Sequence, residues 1–227
     1  MTFKHFSHPF TCLVTGMTGS GKTFLIRNLI KDWNHTFKGI SEPVLRVLWC
    51  QGAWQSLYNE PITSRVHVKY IKGLASRDEI TSFKPHFIVI DDLMTELGND
   101  KNLSNLFTKE SHHLGISVVF VLQNMYAKGS QIRNINLNTH YRILLYSLDI
   151  KQVEFLARQM YGHKWKSFMD AYNKALTRPH GYLYVNQRQD CPENLRLQTR
   201  ITSDEVPPSL QRFHIAPIIY QINKDGV

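Results

Sequence analysis

The sequence predicts an α/β domain with a mainly parallel central sheet flanked by helices. Three observations carry that expectation. Apolar runs of strand length alternate with longer apolar runs at helical spacing. Two of the strands, HFIVI at 86–90 and ISVVFVL at 116–122, are apolar on both faces, as strands covered by helices on both sides must be. A glycine-rich turn joins the first strong strand to the first strong helix, the connection expected of a βα unit.

The elements follow in chain order. Residues 10–15 form a short apolar run with β character. Residues 24–33 place Leu25, Ile26, Leu29, Ile30 and Trp33 on one helical face. Residues 44–50, after Pro43, and the alternating 66–71 read as strands, as do 86–90 and 116–122. Between the last two, residues 102–114 predict a helix with Leu103, Leu106, Phe107 and Leu114 facing inward and Gly115 as its stop. Residues 141–146 are the next strand. Asp149 then opens a helix at capping-box spacing from Gln152, with Val153, Leu156, Ala157 and Met160 as its stripe and Gly162 as its end. A second helix carries Trp165, Phe168, Met169, Tyr172 and Leu176. Residues 181–186 and 195–201 predict a β-hairpin closed by a polar turn containing Pro192. Residues 1–203 are therefore assigned to one domain. Residues 204–227, polar with Pro207-Pro208 and then HIAPIIYQI, are assigned to a C-terminal tail: an extra strand on the domain, or an arm docking on another molecule.

Composition bounds the function. The chain has 227 residues, enough for a sizeable core without disulfides, and no apolar stretch near the ~18 residues of a membrane span. Neither a membrane partner nor a secretory leader is expected. Its three cysteines are odd in number and widely spaced, which argues against a disulfide framework and for a reducing, intracellular setting. The formal net charge of +9 favours a polyanionic partner such as nucleic acid. His5-x-x-His8 and His112-His113 lack a third ligand and are expected to be structural; Trp49, Trp54 and Tyr58 are expected in the core or an interface.

The most specific signal is Gly16-Met17-Thr18-Gly19-Ser20-Gly21-Lys22-Thr23, a full match to G-x-x-x-x-G-K-[ST] between a strand and a helix. Glycines let successive backbone N–H groups turn toward phosphate oxygens, and the positive end of the following helix adds to that field. The expected nucleotide contacts are Gly16, Thr18, Gly19, Ser20, Gly21, Lys22, Thr23 and Phe24, with Lys22 on the β- and γ-phosphates and the Thr23 hydroxyl on Mg²⁺. The buried strand FIVI ends in Asp91-Asp92. Asp91 is assigned to the metal and Asp92 to polarising the attacking water. The strand VVFVL ends in Gln123, an amide placed to sense the γ-phosphate or orient water. The fold class is thus a P-loop NTPase of the kind with an added strand and an added catalytic acid.

Together, VTGMTGSGKT, HFIVIDDLM and VVFVLQNMYAKGSQIRNINLNTHYRILLYSLD resemble the FtsK–HerA superfamily of DNA-pumping ATPases, over roughly residues 10–187. Within it they are most similar to genome-packaging ATPases of large DNA viruses and of virus-like Polinton (Maverick) elements. The resemblance implies ATP and Mg²⁺ as cofactors, double-stranded DNA as partner, and a homo-oligomeric ring of five or six subunits with hydrolysis at the interfaces. It further implies capsid or portal vertex proteins as partners, and a location in the host nucleus or a cytoplasmic viral factory, with passage through the virion vertex. It implies an arginine acting on a neighbour's γ-phosphate, for which Arg142, at the start of a strand, and Arg133, in the preceding polar loop, compete. Asp92 stands where cellular members usually carry Glu. Lys128, Arg133, Lys69 and Lys72 are the candidate pore lysines and arginines. Other readings remain open: a transposition helper or helicase loader, a small-molecule kinase, and a protein that binds nucleotide without turnover.

Overall fold

The structure, a computed structural model, describes residues 5–93, 100–126, 130–205 and 218–219. Its strands are β1 (Phe6–Ser7), β2 (Thr11–Thr15), β3 (Phe37–Lys38), β4 (Leu45–Gln51), β5 (Val66–Lys72), β6 (Phe87–Asp91), β7 (Ser117–Leu122), β8 (Tyr141–Leu144), β9 (Leu183–Asn186), β10 (Leu197–Thr199) and β11 (Ile218–Ile219). Helices are α1 (Lys22–Lys31), α2 (Trp33–Thr36), α3 (Arg77–Phe83), α4 (Lys101–Asn105), α5 (Ser111–His113), α6 (Ser130–Leu137), α7 (Ile150–Tyr161) and α8 (Trp165–Ala175). A π-helical turn over Leu106–Glu110 joins α4 to α5, so the expected single helix carries a bulge in its middle.

Among the described residues the main sheet runs β11-β10-β9-β8-β2-β7-β6-β4-β5. From β8 to β5 every pairing is parallel; β8–β9, β9–β10 and β10–β11 are antiparallel. The expected hairpin is the β9–β10 pair. The strand expected within the C-terminal segment is seen at Ile218–Ile219, which pair with Gln198 and Thr199; residues 206–217 and 220–227 lie outside the described residues. A separate parallel pair, β1–β3, ties the N-terminal segment to the end of α2.

The central strands are hydrophobic because both faces are covered. Every residue of β2, β6 and β7 is buried. Cys12, Val14, Val89 and Val121 face the cluster that includes α1, whereas Leu13, Ile88, Ile90, Val118 and Phe120 face the opposite one with Leu103, Leu106 and Phe107. Removing such side chains from water stabilises by about 1.5–3 kcal/mol each. A third cluster packs α7 and α8 against β9.

Three features depart from expectation. The capping box foreseen at Asp149 does not form: its carboxylate accepts from the Gln152 side-chain amide (2.9 Å) and makes no side-chain cap to the backbone. A true capping box opens α3 instead, between Ser76 and Glu79. The polar segment after Gln123, expected as a loop, contains α6, with Ile132 and Ile135 buried.

Candidate active site

The register aligns three strand tips at one end of the sheet. Thr15 pairs with Leu122, and Leu13 and Ile90 both pair with Phe120. The glycine loop after β2, Gln123 after β7, and Asp91-Asp92 at the end of β6 therefore emerge side by side. Strand β7 lies between β2 and β6, which is the added-strand arrangement the sequence predicts.

The loop is shaped for a small anionic group. Gly21 caps α1 with φ 97°, a left-handed conformation that disfavours a Cβ, and the first turn of α1 carries no acid. The Lys22 ammonium donates to the Gly16 and Met17 carbonyls, both at 2.7 Å, so the cation is folded back over the loop. Burial pulls the Lys22 pKa below its ordinary value, and Asp91 and Asp92 oppose that shift. The Ser20 hydroxyl is buried with no hydrogen-bond partner among the described residues. An orphaned hydroxyl beside a lysine, at a helix start without a side-chain cap, fits a phosphate oxygen arriving there.

The Thr23 hydroxyl donates to Asp91 Oδ2 at 2.9 Å. Asp91 is buried, and that burial raises its pKa; the hydrogen bonds from Thr23 and Tyr58 oppose the rise, Asp92 adds to it, and Lys22 lowers it. A hydroxyl and a carboxylate, both hard oxygen donors, suit Mg²⁺, which takes one or two protein ligands and fills the rest of its shell with water and phosphate. Such a cation would neutralise phosphate charge as it develops. Among the described residues there is no group of three or more His, Cys, Asp or Glu that could hold a metal ion.

Asp92 is exposed, one residue past Asp91, with φ 56°. Its backbone turn is made possible by Gly52, where a Cβ would stand 2.2 Å from the Asp92 carbonyl oxygen. Asp92 is thus turned toward solvent, and its charge is felt at Lys22. Gln123 is likewise exposed at the tip of β7. Phe24, directly after Thr23, is exposed on α1, while Thr18 and Gly19 form the exposed crest of the loop.

Arg142 is a correction. It is 3% exposed, and its guanidinium donates to Gln187 Oε1 (2.7 Å), Asn136 Oδ1 (2.8 Å) and the Asn136 carbonyl (2.7 Å). Burial holds its pKa down at about 10. All three of its guanidine nitrogens are spent inside the domain, tying β8 to α6 and the end of β9, so it is not offered to a neighbour. Arg133 is exposed, on α6 rather than in a loop. Lys69 and Lys72 are exposed on β5, the edge strand. Lys128 lies outside the described residues.

Three site residues escaped the sequence reading. Gly52 is one. Tyr58 donates to the same Asp91 oxygen as Thr23, at 3.0 Å. His180, between α8 and β9, places Nδ1 3.1 Å from the Ser20 carbonyl; because a carbonyl only accepts, Nδ1 carries the proton. None sits in a local motif, and each reaches the site from a distant stretch of chain.

No family model and no curated protein sequence matches the chain. Solved structures do. B204, the DNA-packaging ATPase from Sulfolobus turreted icosahedral virus, superposes with a TM-score of 0.54 at 10% identity, over 79% of this chain and 93% of that one. The genome packaging NTPase B204 from Sulfolobus turreted icosahedral virus 2, in complex with ATP-γS, gives 0.52 at 11% identity, over 78% and 92%. Likeness at this identity is likeness of fold. The chain therefore has a P-loop ATPase fold, with a mainly parallel sheet flanked by helices, of the kind seen in B204.

Proposed function

We propose that the protein is an ATP-driven double-stranded DNA translocase that packages a viral or virus-like genome. It would work as a homo-oligomeric ring of five or six subunits, with hydrolysis at the interfaces and capsid or portal vertex proteins as partners. Its place would be inside the host cell and, during packaging, at the virion vertex. The observation that carries the reading is the pairing of Thr23 with Asp91 beneath a lysine-bearing glycine loop, with the exposed Asp92 next to it. The FtsK–HerA resemblance in the sequence, the +9 charge and the B204-like fold support the choice of DNA as the track.

In this reading the loop N–H groups and Lys22 bind the phosphates, and Thr23 and Asp91 hold Mg²⁺. Asp92 takes the proton of the attacking water, which Gln123 orients. The fixed positive charge on the transferring phosphoryl group comes from the neighbouring subunit. With Arg142 internally bonded, Arg133 is the better placed of the two candidates for that role.

Two variants test the site. Lys22→Ala should abolish turnover; unchanged turnover would end the assignment. Asp92→Asn should keep ATP binding and stop hydrolysis, and persistent hydrolysis would place the base elsewhere. The rival kinase reading gains no support from the geometry of the described residues, where the exposed Asp92 opens the site to water.

A further inference from the structure

We infer that Tyr58 is a positioning residue for the divalent cation, fixing the carboxylate of Asp91 through its hydroxyl; this rests on the nucleotide-site reading above. Tyr58 sits in the 3-10 turn Ser56–Asn59, within the connection from β4 to β5, far in sequence from both the glycine loop and β6. Its ring is 4% exposed and wedged among aromatic neighbours. Tyr70 lies 5.0 Å away, Trp54 5.5 Å and Trp49 5.6 Å, centroid to centroid. A ring so confined delivers its hydroxyl to one place, and there it meets Asp91 Oδ2.

That bond differs from an incidental one in two respects. Asp91 is itself buried, so its carboxylate depends on protein donors for orientation, and among the described residues the two side-chain donors are Thr23 and Tyr58, both on Oδ2. A cation bound between Thr23 and Asp91 would draw on the Thr23 oxygen. The Tyr58 bond would then be the remaining protein constraint on the carboxylate. Groups of this kind, which orient a ligand without touching the metal, typically change metal affinity by 10–100-fold when removed.

The turn is also braced from the glycine-loop side. Arg27 of α1 donates to Tyr70 Oη (3.0 Å) and to the Glu60 carbonyl (2.6 Å), clamping the segment that holds Tyr58 onto the helix that follows the glycine loop. Trp54, 56% exposed, covers both Tyr58 and Tyr70 edge-on. The connection from β4 to β5 is thus a fixed bracket over the acid.

The test is the Mg²⁺ dependence of nucleotide binding by the full chain, measured by calorimetry with ATP-γS in EDTA and across a Mg²⁺ titration. Tyr58→Phe keeps the ring and loses only the hydroxyl. It should leave affinity in EDTA unchanged while raising the Mg²⁺ needed for half-maximal tightening by ~10-fold. Turnover should return toward the wild-type value at saturating Mg²⁺, a rescue that a packing defect would not show. Tyr58→Leu should show the same Mg²⁺ shift together with a lower thermal midpoint, separating hydroxyl from packing. Trp54→Phe should retain the wild-type Mg²⁺ dependence. Equal Mg²⁺ dependence in wild type and Tyr58→Phe would overturn the inference alone. A wild-type chain that binds no nucleotide, or gains nothing from Mg²⁺, would overturn the site reading and this inference with it.

Discussion

Replacing Arg142 by Met separates a structural arginine from a catalytic one. Methionine keeps much of the aliphatic volume but offers no donor. Three bonds from a charged group are lost, and the acceptors on half-buried Asn136 and Gln187 lose that donor. Bonds to charged groups contribute about 1.5–3 kcal/mol each. Against this, the guanidinium is bonded only to neutral acceptors, and burial lowers its pKa from 12.5 to about 10, a desolvation cost of ~3 kcal/mol that the variant escapes. The net expectation is a loss of about 3 kcal/mol, the bonds outweighing the desolvation. For a chain of this size that lowers the thermal midpoint by ~6–12 °C. The assay is thermal unfolding followed by circular dichroism, alongside turnover in mixtures of variant and wild-type subunits at a temperature where both are folded. A variant with an unchanged midpoint that poisons wild-type turnover would refute the reasoning, because it would show Arg142 acting outside its own domain.

Other predictions follow from single contacts. Gly52→Ala puts a Cβ 2.2 Å from the Asp92 carbonyl oxygen, a backbone atom that cannot swing away. It should cost about 2 kcal/mol of stability and most of the turnover, and a variant with wild-type midpoint and rate would contradict the role given to the Asp92 turn. His180→Ala removes the bond to the Ser20 carbonyl. A loss of ~1 kcal/mol, about fivefold in ATP affinity by calorimetry, is expected; unchanged affinity would make that contact incidental. His5, His8 and His140 are each pulled down to about 4, first by burial, with His86 contributing for His8 and His112 for His140. The unfolded chain takes up these protons near 6.5 and the folded one only near 4. Stability should therefore be full above about pH 6.5 and decline as pH falls toward about 4. Thermal midpoints across that range check it, and a flat profile would show that these rings are solvated in solution.

The parts of the fold legible in the sequence were those written in contiguous residues. HFIVI and SVVFVL are apolar on both faces, and the glycine loop dictates its own turn, so the sheet centre and Lys22, Thr23, Asp91, Asp92 and Gln123 could be placed from spacing alone. Residues that act across distance were not legible. Tyr58 looks like any core aromatic until β4 and β6 pair and bring its turn over Asp91. Arg142 has the strand position of a residue reaching outward. What fixes it inward is Asn136, six residues earlier on a helix that the polar sequence 127–137 disguised as a loop. The capping-box pattern misled for a related reason. Asp149 and Ser76 both have a Gln or Glu three residues on. At Asp149, however, the Gln152 side chain bridges to the Met125 N–H of the neighbouring connection, so a tertiary partner displaces the local one.

The central claim is that this domain hydrolyses ATP as part of a ring driven along DNA. The most direct measurement is ATP turnover by the purified chain across a protein concentration series, with and without long double-stranded DNA. The account predicts turnover per subunit that rises steeply with concentration and rises again with DNA, the DNA effect fading as salt increases. Turnover that is constant per subunit and indifferent to DNA would contradict it.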